Sequence, residues 1–170
     1  GLTRMHEAGI WRYNPRTEHF GTHVSLPFAN PWGHVYDKWG QDFISDASPG
    51  FNYWATPISG KVEYPAKHAG GSFNDSANNF KDPALRGRDV YPTFIVKRTR
   101  PSAGNEIVSS RHFKPEDQGD FLLCNVIGER SILQHSLKED GSGFAGTEKP
   151  PLVFCEDGNF RPIDIQFAPD

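Results

Sequence analysis

The chain has 170 residues, with 18 Lys and Arg against 21 Asp and Glu and a formal net charge of −3. That mixed balance gives no basic face for a nucleic acid backbone, and no run approaches the ~18 apolar residues that a membrane-spanning helix needs. With 17 Gly, 14 Pro and 13% aromatic residues, the composition suits many short strands joined by turns better than packed helices, so the chain reads as all-β.

In chain order, Ile10-Trp11-Arg12-Tyr13 predicts a strand, Asn14-Pro15-Arg16-Thr17-Glu18 a turn, and Phe20 to Leu26 the returning strand. The next phrase, Phe28-Ala29-Asn30-Pro31-Trp32-Gly33-His34-Val35-Tyr36-Asp37-Lys38-Trp39-Gly40, starts with a loop-making polar-Pro pair. Large residues then stand at every second position (Trp32, His34, Tyr36), which is strand periodicity. A turn follows, and Asp42-Phe43-Ile44-Ser45-Asp46 reads as the return strand. From Ser48 to Tyr91 the pattern dissolves into Gly, Pro, Asn, Asp and Lys, which predicts a long irregular loop over about 48–91; such a loop inside a compact domain is usually functional. Strands are expected again at Thr93–Val96, Gly104–Ser109, Gly119–Ile127 and Ser131–Leu137, with a turn at Glu139–Gly143. No helix longer than two turns is expected.

The phrase returns at the end of the chain as Phe160-Arg161-Pro162-Ile163-Asp164-Ile165-Gln166-Phe167-Ala168-Pro169-Asp170, with Ile163, Ile165 and Phe167 at alternate positions. A recurring hairpin is the sequence signature of β-propeller blades. At roughly 40 to 50 residues per blade, residues 1–170 are expected to form a partial β-propeller domain. Three to four blades would be an incomplete set cut from a larger ring, so the chain is expected to be a piece of a longer protein.

Cys124 and Cys155 lie in apolar runs and fit either two buried thiols or one disulfide. No paired-Cys spacing for zinc and no Cys-x-x-Cys-His for covalent haem is present. Among the histidines, His34 alternates with Trp32 and Tyr36, a position suited to a hydrogen-bonded core residue. His6 stands beside Glu7, and His112 lies between Arg111 and Phe113. The acidic residues Asp75, Asp82 and Asp89 are spaced too irregularly for a calcium loop.

Several motifs together carry a family resemblance. They are Asn30-Pro31-Trp32-Gly33, Asp46 with Ser48-Pro49-Gly50, Phe51-Asn52-Tyr53-Trp54, Pro101-Ser102-Ala103-Gly104 and Phe160-Arg161-Pro162-Ile163-Asp164. In this order they resemble the soluble quinoprotein glucose and sorbosone dehydrogenases, and more closely the large membrane-bound dehydrogenase-like proteins of planctomycetes. The resemblance implies an oxidoreductase at the periplasm or cell surface, in which pyrroloquinoline quinone and Ca²⁺ oxidise a sugar or alcohol. Its electrons would pass to a haem c module outside these residues, and the remaining blades would be its other partners. It places Asn30 and Arg161 at the cofactor, although Ala29 stands where the family has an Arg. It places the carboxylate of Asp46 and the carbonyls of Ser48 and Pro49 at the metal. The catalytic base remains unknown, because the family's His falls in an earlier blade. The alternative is a non-catalytic propeller that binds polysaccharide or protein through its long loop and aromatics such as Trp39, Tyr53 and Trp54. If the cofactor reading holds, Asn30, Asp46 and Arg161 should converge on one end of the channel.

Overall fold

The computed structural model describes residues 8–24, 28–55, 93–96, 100–141 and 143–168. The fold is all-β, with three antiparallel sheets and no α-helix among the described residues. The first sheet pairs β1 (Ile10–Asn14) with β2 (His19–Val24). The second runs in the order β3 (Pro31–Tyr36), β4 (Asp42–Asp46), β5 (Phe51–Ala55). The third is a four-stranded meander of β6 (Ser102–Ile107), β7 (Phe121–Asn125), β8 (Ser131–Asp140) and β9 (Gly143–Phe154). A single 3-10 turn, Pro115–Asp117, interrupts the β6–β7 connection.

Turn chemistry fixes the hairpins. Asn14 Oδ1 accepts from the Arg16 amide at 2.9 Å and closes the β1–β2 turn. Asp37 Oδ1 likewise accepts from the Trp39 and Gln41 amides at 2.8 and 2.9 Å, and Gly40 takes φ +83°. An Asx side chain that replaces a backbone partner, followed by a glycine in the left-handed region, is the expected signature of such turns.

Every residue of β4 is buried. The reason is positional: β4 is the central strand of the middle sheet, and both faces of that sheet are covered. Successive side chains on a strand point to opposite faces, so Phe43 enters one core and Ile44 the other. Phe43 joins Phe94, Ile107, Phe121, Leu123 and Leu133, between the second and third sheets. Ile44 joins Val24, Phe28, Tyr53 and Ala55, between the first and second. Phe43 meets Phe94 at 5.1 Å and Phe94 meets Phe121 at 4.9 Å, both edge to face. Full burial of a side chain of this size contributes about 1.5–3 kcal/mol.

On the Phe43 face, Ser45 also reaches the third sheet. Its hydroxyl accepts from Asn105 Nδ2 at 2.8 Å and donates to Asn52 Oδ1 at 2.7 Å. The bare Cα of Gly33 lets β3 approach β6, because a Cβ there would come within 2.7 Å of the Asn105 side chain.

Three expectations need correcting. The irregular stretch read over 48–91 contains β5 from Phe51 to Ala55, and from residue 56 to 91 it lies outside the described residues, as do His6, Asp75, Asp82 and Asp89. Thr93–Val96 is not a strand but a single bridge, Tyr53 to Thr93, with the Phe94 amide on the Asn52 carbonyl at 3.2 Å. The alternating segment 160–168 joins no ladder. Pro162 has no N–H to give, and the Ile165 amide is taken by the Asp164 carboxylate at 2.9 Å. The segment is tied to the third sheet where Gly104 N–H donates to the Ile163 carbonyl at 2.9 Å.

Candidate functional site

Two of the residues singled out from the sequence meet. Asp46, buried at the end of β4, accepts from the amides of Ala29 at 2.9 Å and Asn30 at 2.7 Å. The Ala47 amide returns a bond to the Asn30 carbonyl at 2.9 Å. Asn30 turns its own side chain toward β3, where Oδ1 accepts from Trp32 Nε1 at 3.1 Å. Ser48 offers its carbonyl to Arg100 Nη1 at 3.4 Å, and Pro49 is fully buried. Arg161 is exposed on the C-terminal segment.

Calcium requires six to eight oxygen ligands. Here each carboxylate oxygen of Asp46 holds a backbone amide, and a guanidinium faces the Ser48 carbonyl. The Asp46 carboxylate and the Ser48 carbonyl are therefore already engaged within the protein, and the set does not fit a calcium ion.

A half-open cavity of about 580 Å³ lies where three chain segments converge. Its walls are Trp32 to Val35 on β3, Gly104 to Glu106 on β6, and Ile163 to Phe167. The two copies of the repeated phrase thus face one cavity, with the first strand of the third sheet between them. Gly104 permits this approach, since a Cβ there would come within 2.5 Å of the Asp164 carboxylate and 2.9 Å of its Cα. The described lining carries two carboxylates, Glu106 and Asp164, and no Lys or Arg. A tricarboxylate quinone needs surrounding cations, so this lining does not fit it. Neutral polar groups do line the wall. Asn105 Oδ1 is buried without a hydrogen-bond partner, and Trp32 keeps 59% of its surface exposed.

A second cluster emerges on the opposite face of the middle sheet from Phe43. Asp42 heads β4, and its Oδ1 lies 2.9 Å from His23 Nε2 on β2 and 2.6 Å from His34 Nε2 on β3. The carboxylate has no exposed surface, while the two imidazoles keep 13% and 22% of theirs. Tyr36 is the cross-strand partner of Asp42, and its ring meets that of His34 at 4.7 Å. Burial, followed by the charge of Asp42, raises the Tyr36 hydroxyl above its ordinary 10.0; Arg12 pulls the other way, and a hydrogen bond with Asp42 adds to the rise.

His34 hydrogen-bonds Asp42, in keeping with its place on the strand. Sequence reasoning missed Asp42 and His23, whose proximity depends on how the first two sheets stack. The signal available was a His at an alternating position in each of two neighbouring predicted strands.

Tyr53 was expected on an exposed binding surface, yet it is 1% exposed and belongs to the core shared with Phe28 and Ile44. Trp54 is half-buried against Phe144. Trp39 is exposed as expected, and His112 is exposed in a turn. Both cysteines are free thiols. Burial, helped by the charge of Asp164, pushes Cys124 up to about 12, which removes it as a nucleophile at neutral pH. Compared with known proteins, the chain matches no family model, no curated protein and no solved structure.

Proposed function

We propose that the chain is part of a β-propeller whose channel-side cavity binds a neutral polyhydroxylated ligand, of the sugar or sugar-alcohol class. Successive sheets contributing their first strands to one cavity are what radially arranged blades produce. The lining carries the ligand assignment: the exposed indole of Trp32 stands in one wall with the carboxylates of Glu106 and Asp164 and the amide of Gln166. Trp32 supplies an apolar face for a sugar ring, and Glu106, Asp164 and Gln166 accept or donate at the rim. This reading is of a binding platform.

A second reading is a quinone-dependent sugar or alcohol dehydrogenase-like protein of the periplasm or cell surface, passing electrons to a haem c module elsewhere. One observation favours it. Trp32, bonded to Asn30, and Ile163, two residues beyond Arg161, line the same cavity.

Calorimetric titration of the chain with a panel of monosaccharides and disaccharides, and separately with pyrroloquinoline quinone with and without calcium, separates the two. The platform reading expects heat with a saccharide and none with the quinone. Calcium-dependent quinone binding that Arg161→Ala weakens would replace it with the dehydrogenase reading. Silence toward every saccharide would overturn it.

A further inference from the structure

We infer that His23, His34 and Asp42 form a site for a divalent transition-metal ion of the zinc class, which staples the first sheet to the second. This inference does not rest on the saccharide reading. The three candidate ligand atoms lie within 4.8 Å of one another. They come from three strands, β2, β3 and β4, in two sheets.

Two imidazole nitrogens and one carboxylate are the donor set of three-ligand zinc sites and of related non-haem metal sites. They are a poor set for calcium, which selects oxygen. With metal–ligand bonds of about 2.0–2.2 Å, the edge of a tetrahedron is about 3.3–3.5 Å. The present separations from Oδ1, 2.9 and 2.6 Å, would need to widen by less than about 1 Å.

A metal-free network is the competing account, in which both imidazoles donate an Nε2–H to Oδ1. With neutral imidazoles, that account leaves the carboxylate charge uncompensated. Asp42 is fully out of solvent, and the remaining group that hydrogen-bonds it, the Tyr36 hydroxyl, carries no charge. Buried charges are normally paired or coordinated to metal. A dication beside the carboxylate compensates the charge. With three protein ligands, the ion keeps a position open for solvent or a further ligand.

The test is zinc titration by calorimetry and cobalt titration by visible absorption on the whole chain, prepared free of metal. Gln in place of either His can still donate to Asp42 but is a poor metal ligand, so His23→Gln and His34→Gln keep the hydrogen bond and remove the site. His19→Gln, on the same strand as His23 and exposed, is the control. The expected result is one ion bound per chain and a Co²⁺ spectrum of nitrogen and oxygen ligation. Zinc should raise the thermal midpoint, and each Gln variant at 23 or 34 should weaken binding by more than the ~10- to 100-fold typical of outer-shell changes. The inference is overturned if no ion binds. It is equally overturned if binding in His23→Gln and His34→Gln equals wild type, or if His19→Gln abolishes it.

Discussion

Two carboxylates, Asp42 and Asp46, leave the same face of β4, and both are fully buried. Their surroundings give them different tasks. Asp46 uses both oxygens to hold the amides that lead into β3, so its part is to fix the Asn30 turn. Asp42 holds two imidazoles on one oxygen and also hydrogen-bonds the Tyr36 hydroxyl. Loss of the Asp46 side chain removes both bonds from the partly buried Ala29 amide and the Asn30 amide, and a hydrogen bond between a charged acceptor and a part-buried donor contributes about 1–2 kcal/mol. Asp46→Ala should therefore lower the unfolding free energy by about 2–4 kcal/mol in urea denaturation, and Asp46→Asn by less because one acceptor oxygen remains. An Ala variant as stable as wild type would show that the carboxylate does not hold the turn. At this scale the sequence is informative about local chemistry. Asp46-Ala47-Ser48-Pro49-Gly50 marks a turn next to a strand, but the partner amides of Asp46 lie 16 and 17 positions earlier, and no local pattern points to them.

Among the elements, the two strands that escaped the sequence are β5 and β9. The first, Phe51–Ala55, adjoins a Gly- and Pro-rich stretch that hides its alternation. The second contains Pro150 and Pro151, which argue against a central strand. They are tolerated because β9 lies at the sheet edge and its register to β8 shifts there. Ile132 pairs with Val153 but Gln134 pairs with Lys149, so the prolines sit within a bulge. Lys149, at the bulge, reaches Asp117 and Asp120, the latter at 2.6 Å, while Gln134 Nε2 donates to Asp120 at 2.7 Å. The hydrogen bond from Lys149 holds the Asp117 carboxyl below its usual 3.8, and the hydrogen bond with Asp117 is the main reason the Lys149 amine sits above 10.5. A depressed carboxylate contributes stability that is present above 3.8 and lost as pH falls through its lower folded value. A raised amine contributes stability that is present below 10.5 and lost as pH rises through its higher folded value. Lys149→Met should therefore flatten the fall in thermal midpoint below pH 3.8 and the fall above pH 10.5. Melting curves that stay parallel to wild type in both ranges would mean that the pair does not couple to folding.

At the scale of the whole molecule, the middle sheet is the frame, with an apolar core on each face and both candidate sites at β3. His34 joins His23 and Asp42 against the first sheet and also lines the cavity between β3, β6 and residues 163–167. The all-β class was legible because strand periodicity is local, but the same alternation in the second copy of the phrase misled, since residues 160–168 join no ladder. That the two copies share one cavity was not legible, since it depends on Gly33 and Gly104 letting backbones close together. The measurement that tests the account most directly is a saccharide-binding array on wild type, Trp32→Ala and Trp39→Ala. Trp39 is the more exposed indole, at 82% against 59%, yet only Trp32 lines the cavity. Loss of ring stacking of about 1.5 kcal/mol corresponds to roughly tenfold in affinity. The account expects that loss for Trp32→Ala and wild-type binding for Trp39→Ala. Binding that survives Trp32→Ala and disappears with Trp39→Ala would place the ligand elsewhere and contradict it.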